Sequence, residues 1–329
     1  MDRFGIIGGG AWGTALATVA ARAGRNPVLW AREPDVVDSI NTRHFNDVFL
    51  PDVEIDEDIR ATGELAEAAQ ADVLLLTTPA QHLRAISTQL SEYLSPGTVL
   101  VICSKGIEQG THAAMTEVLA ETVPDAPVAV LSGPTFAREV ALGLPTAVTL
   151  ACADEDLGIA LARAIGQPMF RPYLTDDLMG AQIGGAVKNV LAIACGIIEG
   201  RELGENARAS LTTRGAAEIA RLGVARGGRA ETFMGLAGFG DLILTCSSMQ
   251  SRNMSLGAAL GQGQTLADIL ASRKSVSEGV YTASAVSEHA RTLGVEMPIV
   301  DAVDGVLNHG MSIDDAIGGL LSRAFTTEA

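Results

Sequence analysis

Lysine is almost absent from this chain. Only Lys105, Lys188 and Lys274 occur among its 23 basic residues, so nearly every cation is an arginine. Arginine stays charged under any physiological condition, whereas lysine can be tuned by burial and neighbours to give or take a proton. Two of the three stand in segments that look like chemistry, Ser104-Lys105-Gly106 and Gly184-Gly185-Ala186-Val187-Lys188-Asn189. Composition bias with two accidental survivors would give the same count, and the rest of the sequence decides between the two readings.

Basic stripes are missing as well. The formal charge is −16 with 39 acidic residues, which leaves no electrostatic footprint for nucleic acid. An anionic ligand would need a local basic pocket set against that global field. Cys103, Cys152, Cys195 and Cys246 are widely scattered, without CxxC or Cys/His clustering, and this excludes the usual zinc spacings and a disulfide framework. The five histidines, His44, His82, His112, His289 and His309, show no ligand spacing and no partner nucleophile. The expectation is a reduced, metal-free, cytoplasmic protein. No signal peptide precedes the first strand, and the apolar stretch 190–198 is too short to span a bilayer, so membrane insertion is not expected.

An apolar fraction of 47% with 19% charged residues is ample for packed cores. At 329 residues, two domains are the default. Residues 3–7 form a short apolar run that breaks into Gly8-Gly9-Gly10-Ala11-Trp12-Gly13, followed by a small-residue helix over 14–23 and a second strand over 27–31. Gly8, Gly10 and Gly13 have the G-x-G-x-x-G spacing: a tight turn, a close backbone approach to a pyrophosphate, and helix-on-strand packing. The helix N-terminus behind them offers free N–H groups to phosphate. The βαβ context makes this a dinucleotide-binding start rather than a turn that serves packing alone. At the end of the second strand, Arg32 stands where a strict NAD site usually has Asp or Glu, and a guanidinium suits a 2′-phosphate. The bland alternative is an exposed Arg at a strand end, paired with Glu33; the guanidinium reading makes NADP the expected cofactor, with NADPH preferred and NAD not excluded.

Strands over 72–77, 98–103, 127–131, 146–151 and 169–174 alternate with helices over 80–93, 111–122 and 155–165. Such alternation predicts an α/β fold with a Rossmann-type, mostly parallel, doubly wound sheet. Thr78-Pro79, Ser104-Lys105-Gly106 and Ser132-Gly133-Pro134-Thr135 then fall at carboxyl ends of strands, where such sheets bind ligands. After about Asp177 only helical periodicity remains, which predicts domains over 1–177 and 178–329, the second all-α. Lys188 lies inside an otherwise buried helix there, where a cation is costly unless paired or able to deprotonate. The segment GLAGFGD at 235–241 offers Asp241 on a glycine-rich turn, and Ser251-Arg252-Asn253 combines a hydroxyl, a fixed cation and an amide suited to a phosphate. The bland alternatives are a snorkelling Lys188 at a domain edge and a surface ion pair for Arg252. The run 261–264 reads as a flexible linker between helices or as a lid, and its composition does not decide between them.

These residues resemble the bacterial NAD(P)-dependent glycerol-3-phosphate dehydrogenases nearly end to end. The matching blocks are GGGAWGTALA at 8–17, Asn41, Arg43, Asn46 and Leu50-Pro51, SKGIE at 104–108, LSGPTFAREVALGLPTA at 131–147 and GGAVKNVLAIACGI at 184–197. The most specific are TRGAAEIARLG at 213–223, GLAGFGDLILTCSSMQSRN at 235–253 and SEGVYTA at 277–283. The resemblance implies a helical second domain like that of 6-phosphogluconate dehydrogenase, and hydride transfer between a nicotinamide and dihydroxyacetone phosphate or sn-glycerol 3-phosphate. It implies Lys188 as proton acceptor and donor, with Lys105, Gly133, Thr135, Asp241, Ser251, Arg252 and Asn253 at the substrate. For the dinucleotide it implies Gly8, Gly10, Ala11, Trp12, Gly13, Arg32, Lys105, Ala137, Arg252, Val276 and Glu278. A homodimer and a place in glycerophospholipid synthesis follow from the same likeness. Ala11 and Thr135 depart from the pattern where Ser is common, Phe49 where Tyr is common, and Gln182-Ile183 where an acidic-apolar pair is usual; Ala11 thereby lacks a hydroxyl for phosphate. Two rival readings are a β-hydroxyacid dehydrogenase, which also has a helical Lys-Asn but needs a carboxylate site, and a nicotinamide sensor, which has no use for the Lys, Asp and Arg set.

Overall fold

The computed structural model describes residues 1–273 and 278–324. Ten strands occur among them: β1 (Arg3–Ile7), β2 (Asn26–Trp30), β3 (Phe45–Asn46), β4 (Leu50–Glu54), β5 (Arg60–Thr62), β6 (Val73–Leu76), β7 (Val99–Ile102), β8 (Val128–Ser132), β9 (Thr146–Cys152) and β10 (Phe170–Thr175). Eight of them form one sheet in the order β10-β9-β8-β7-β6-β1-β2-β5, and β3 pairs with β4 in a separate hairpin. Every pairing in the large sheet is parallel except β8 with β9. The apolar runs Val73–Leu76 and Val99–Ile102 are buried at every position, as strands covered by helices on both faces require. The order reverses beside β1, between β2 and β6, so the crevice of a doubly wound sheet opens at the end of β1.

The expected alternation is present, with boundaries shifted. The first helix starts three residues earlier than periodicity suggested, at Ala11–Arg22. The element after Pro79 is a short 3₁₀ turn, Ala80–His82, leading into Leu83–Leu90, and the next helix is Met115–Thr122. The helix Pro34–Arg43, the β3–β4 hairpin and β5 were not foreseen. Their apolar positions are few and short, so no period stands out.

From Leu178 onward the described chain is helical. Its centre is one 23-residue helix, Leu178–Gly200, buried from Gly180 to Ile198. This helix is longer than the apolar stretch 190–198 suggested, and by length and composition it could cross a membrane, but its apolar window is wholly covered by protein. Glycine lets the neighbouring helix Arg252–Gly261 come within backbone contact: a Cβ on Gly196 would stand 2.0 Å from the Met254 carbonyl oxygen, and one on Gly257 2.0 Å from that of Ile193. Part of the 213–223 block also serves packing. Gly215 meets Leu191, and the Glu218 carboxylate accepts from Ile299 N at 2.8 Å and Val300 N at 3.2 Å, capping helix Pro298–Asn308. Burial pushes that carboxyl up to about 7. Asp177 fixes the start of the central helix: Oδ1 accepts from Gly180 N, and Oδ2 accepts from Arg229 N and Thr232 Oγ1.

Candidate active site

The loop after β1 is built for close approach. Gly8 has φ 131°, which a side chain would strain, and a Cβ on Gly13 would sit 1.9 Å from the Gly8 carbonyl oxygen. Gly10, by contrast, has nothing within 4 Å of the place its Cβ would occupy. It is the N-cap of Ala11–Arg22, without a side-chain cap and without an acid in the first turn, so the orphan N–H groups and the positive helix end face open space. The buried Asn46 pins the loop from the hairpin, its Nδ2 donating to Gly9 O and Thr14 Oγ1, both at 2.8 Å. Trp12 Nε1 is buried and has no hydrogen-bond partner among the described residues. A glycine cradle, an uncapped helix start and an unused buried donor are what a pyrophosphate-bearing dinucleotide requires, and the residues present fit one.

Further along the rim, Thr78 and Ser104 each lie two residues past the ends of β6 and β7, Ser132 ends β8, and their three buried hydroxyls lack hydrogen-bond partners among the described residues. The sequence placed these segments on one edge but did not single out the hydroxyls. Beside them Lys105 leaves the end of β7 and crosses to the helical half. Its Nζ donates to Gly133 O at 3.1 Å and to Asp241 Oδ2 at 2.6 Å. The path runs over Gly185 of the central helix, where a Cβ would lie 3.4 Å from Lys105 Cγ and 2.9 Å from Ser132 Oγ. Gly133 has φ 138°, and Thr135 Oγ1 donates to its carbonyl at 3.3 Å. Ala137 opens the next short helix.

Lys188 approaches Asp241 from the other side. Its Nζ donates to Asp241 Oδ1 at 2.5 Å and to Thr245 Oγ1 at 2.8 Å. Asp241 is completely buried, so one carboxylate with no contact to solvent holds two ammonium groups. It does not lie on a bare turn as its glycine-rich surroundings suggested. Residues Leu236–Gly240 form a π turn, and Asp241 opens helix Asp241–Cys246. Thr245, one turn along, donates to the Asp241 carbonyl at 2.7 Å and so presents its lone pairs to Lys188. The i, i+4 spacing of Asp241 and Thr245 was the available signal for that residue. Burial pushes the Lys188 ammonium down to about 8; Asp241 opposes the shift and Lys105 adds to it.

Ser251, Arg252 and Asn253 start the helix that packs on this centre. Ser251 Oγ caps it, accepting from Met254 N at 3.2 Å. Asn253 Nδ2 donates to Asn189 Oδ1 at 3.0 Å and its Oδ1 accepts from Gly279 N at 3.1 Å, which leaves one amide N–H over. It therefore ties the residue next to Lys188 to the start of helix Glu278–Thr292. Arg252 is exposed, without an ion pair among the described residues. Burial raises the Glu278 carboxyl, opposed by Arg252, Lys105 and Lys188, which places that acid within the field of all three cations. Val276 lies outside the described residues. No group of three metal-ligating side chains occurs among the described residues.

The chain is similar to known proteins along its whole length. Residues 3–158 match the model of the NAD-dependent glycerol-3-phosphate dehydrogenase N-terminus, and residues 177–318 match that of its C-terminus. The chain is 59% identical to glycerol-3-phosphate dehydrogenase [NAD(P)+] of Parvibaculum lavamentivorans, over 99% of this chain and 98% of the relative. It is 57% identical to the enzyme of the same name from Caulobacter vibrioides, over 100% and 99%. A crystal structure of glycerol-3-phosphate dehydrogenase from Coxiella burnetii superposes with a TM-score of 0.94 at 37% identity, covering 98% of this chain and 99% of that one. The chain belongs to the NAD-dependent glycerol-3-phosphate dehydrogenase family.

Proposed function

We propose that this protein interconverts dihydroxyacetone phosphate and sn-glycerol 3-phosphate with NADPH as the preferred cofactor and NADH as a second one. The observation that carries the reading is the single buried Asp241 carboxylate shared by Lys105 and Lys188. A carbonyl that accepts a hydride develops negative charge on oxygen and needs a proton donor and a positive field within reach. Two lysines on one carboxylate leave a net positive charge in a low-dielectric site. The bound nicotinamide supplies or takes the hydride. Lys188 gives its proton to the forming alkoxide in reduction and takes it back in oxidation. Asp241 and Thr245 hold its Nζ in one position, so the proton stays aimed. Lys105 supports the developing charge and reaches the Gly133 turn.

In the same proposal Gly133, Thr135, Ser251, Arg252 and Asn253 line the substrate end beside Lys105, Lys188 and Asp241. Gly8, Gly10, Ala11, Trp12, Gly13, Arg32, Lys105, Ala137, Arg252, Val276 and Glu278 serve the dinucleotide. The uncapped start of Ala11–Arg22 and the unpartnered Trp12 Nε1 support that assignment. Residues 1–177 and 178–329 are the two domains, a division supported by Asp177 as the N-cap of the central helix. Four free buried cysteines favour a reducing, cytoplasmic setting. Exposed Leu203, Val224 and Met234 on the helical half give a homodimer apolar area to bury. The product, a glycerol phosphate, feeds glycerophospholipid synthesis.

The direct test is loss of reduced-nicotinamide absorbance with dihydroxyacetone phosphate, run in parallel with NADPH and NADH. Oxidation of neither, with NADPH still bound, overturns the proposal. Arg252→Ala should raise KM for the phosphorylated ketone by at least about tenfold, as expected for loss of a charge-assisted contact. Equal turnover of the unphosphorylated ketone by the parent enzyme would refute a phosphate grip. The Lys188 pKa of about 8 sets the pH behaviour. Reduction needs the ammonium and should decline as pH rises through about 8, whereas oxidation needs the neutral amine and should rise through the same range. Profiles of kcat/KM in both directions check this, and parallel profiles would remove Lys188 from the proton step.

A further inference from the structure

A histidine pair lies on the seam between the sheet half and the helical half. His112, on the loop that runs from Lys105 to helix Met115–Thr122, faces His289 of helix Glu278–Thr292, with ring centroids 5.4 Å apart and planes tilted by 36°. His289 is buried. Arg226, the residue after helix Glu205–Ala225, joins the pair to the sheet half. Its Nη1 stands 2.7 Å from His289 Nε2, and its Nη2 donates to Glu117 Oε2 at 2.6 Å. The same Glu117 oxygen accepts from Ala114 N at 2.7 Å, at the start of helix Met115–Thr122. His112 Nε2 stands 3.1 Å from Glu288 Oε2 and makes a second contact across the seam.

The partners assign the protons. A guanidinium has donors only, so His289 Nε2 accepts, and that ring is neutral with its proton on Nδ1. A carboxylate accepts, so His112 carries its proton on Nε2. We propose that His289, Arg226 and Glu117 form an acid-sensitive latch between the two halves, closed while the His289 ring is neutral and released when it is protonated. Protonation puts a hydrogen where Nε2 has its lone pair, so the 2.7 Å contact becomes donor against donor between two cations. Arg226 then has to move, and its bond to Glu117 across the seam moves with it. Burial, Arg226 and His112 all hold the His289 pKa below its ordinary value, with Glu117 opposing.

No spare carboxylate among the described residues stands by to compensate. Glu288 is engaged by His112. On the helix packed beside His289, Asp301 and Asp304 are engaged by Ser287, Arg291 and His309. The central helix, packed on the same element, carries Lys188 and Glu199, which are bound to Asp241 and Arg208. In the sheet half, Arg84 holds Glu108 and Glu121, and in the helix before Arg226, Arg221 donates to the Glu296 carbonyl. The latch also spans two segments that lead to the active site. The loop of His112 begins at Lys105, and the helix of His289 begins at Glu278 and Gly279, where Asn253 is bound. Release loosens the seam across which Lys105 reaches Asp241.

The sign follows from linkage. A histidine whose folded pKa is depressed binds fewer protons than the unfolded chain, so its contribution to stability is complete above about 6.5 and is lost as pH falls toward the folded value. Parent, His289→Gln and Arg226→Gln proteins are compared by thermal unfolding and by initial reduction rates from pH 5 to 8, and by NMR of isotope-labelled histidine. Glutamine keeps a side-chain acceptor for Arg226 but does not titrate. Between pH 7.5 and 5.5 the parent should lose about 2 °C more in Tm than His289→Gln, and about threefold more in rate. The histidine resonance missing from His289→Gln should titrate below 6.5 in the parent and shift upward in Arg226→Gln, which lacks the neighbouring cation. Equal stability profiles in parent and His289→Gln overturn the latch, as does a His289 that titrates at or above 6.5. Parallel rate profiles with divergent stability overturn its link to the site. If His289→Gln does not fold, a single resonance moved upward by Arg226→Gln identifies His289, and the absence of any such shift overturns the proposal.

Discussion

Replacing Lys188 with alanine should lower turnover by about 10² to 10⁴, the range for loss of a positioned acid–base group. The argument rests on exclusivity of place. Lys188 Nζ is fixed by Asp241 and Thr245 inside a helix whose neighbouring residues are buried, so no other donor can move into its position without leaving its own bonds. Lys105 is the nearest cation, but it is already committed to Gly133 O and the second Asp241 oxygen. The dinucleotide loop lies on the opposite half and shares no bond with Lys188, so NADPH affinity should stay within about threefold, consistent with independence of separated sites. Single-turnover absorbance and fluorescence titration measure the two quantities. A variant with near-parental turnover would eliminate Lys188 as the acid–base group. Lys188→Arg separates charge from proton transfer, because arginine keeps the positive field yet does not release its proton. It should remain about as impaired as alanine.

Asp241→Asn should be damaging in two ways at once. The asparagine keeps the volume but removes the charge on which both lysines depend, and two ammonium groups then share a buried site without a counter-ion. Removing one partner of a buried ion pair typically costs about 3–5 kcal/mol. The site can relieve part of that cost by releasing a proton. Asp241 is the group that raises the Lys188 pKa against burial, so its loss should drop Lys188 below about 8. The sign follows from linkage: a lysine with a depressed folded pKa binds fewer protons than the unfolded chain, so stability rises with pH above the folded value until the unfolded value is reached. That window should start at a lower pH in the variant. Thermal unfolding across pH 6 to 9 should therefore show the largest loss at the acid end. Turnover in the reducing direction near neutral pH should fall by about 10²-fold or more, because the donor is deprotonated. A variant with parental stability and an unshifted pH profile would mean that the two lysines do not need this carboxylate.

Much of the architecture was legible because it is locally encoded. The strand–GxGxxG–helix start, the buried runs Val73–Leu76 and Val99–Ile102, and the switch to helical periodicity near Asp177 each reside within a few residues. The small residues of the central helix announced close packing, and backbone contacts at Gly196 and Gly257 are the result. The β3–β4 hairpin was not legible, since two strands of two and five residues with a bulge between them carry too little pattern. Yet it delivers Asn46 to the glycine loop. The antiparallel entry of β9 was equally hidden, because buried parallel and antiparallel strands share one apolar pattern.

The sequence by itself determined which side chains could do chemistry: two tunable lysines in an arginine-rich chain, one acid in a glycine-rich block, and an arginine at the end of β2. Those are properties of residue type and of short-range context. Tertiary structure alone decided that Lys105 and Lys188 meet on the same carboxylate, across separations of 136 and 53 residues. It also decided that Asn253 links Asn189, beside Lys188, to Gly279 at the start of helix Glu278–Thr292. Hydrogen-bond partners at that range are set by helix packing and sheet order, and buried polar groups take whichever partner the packing presents.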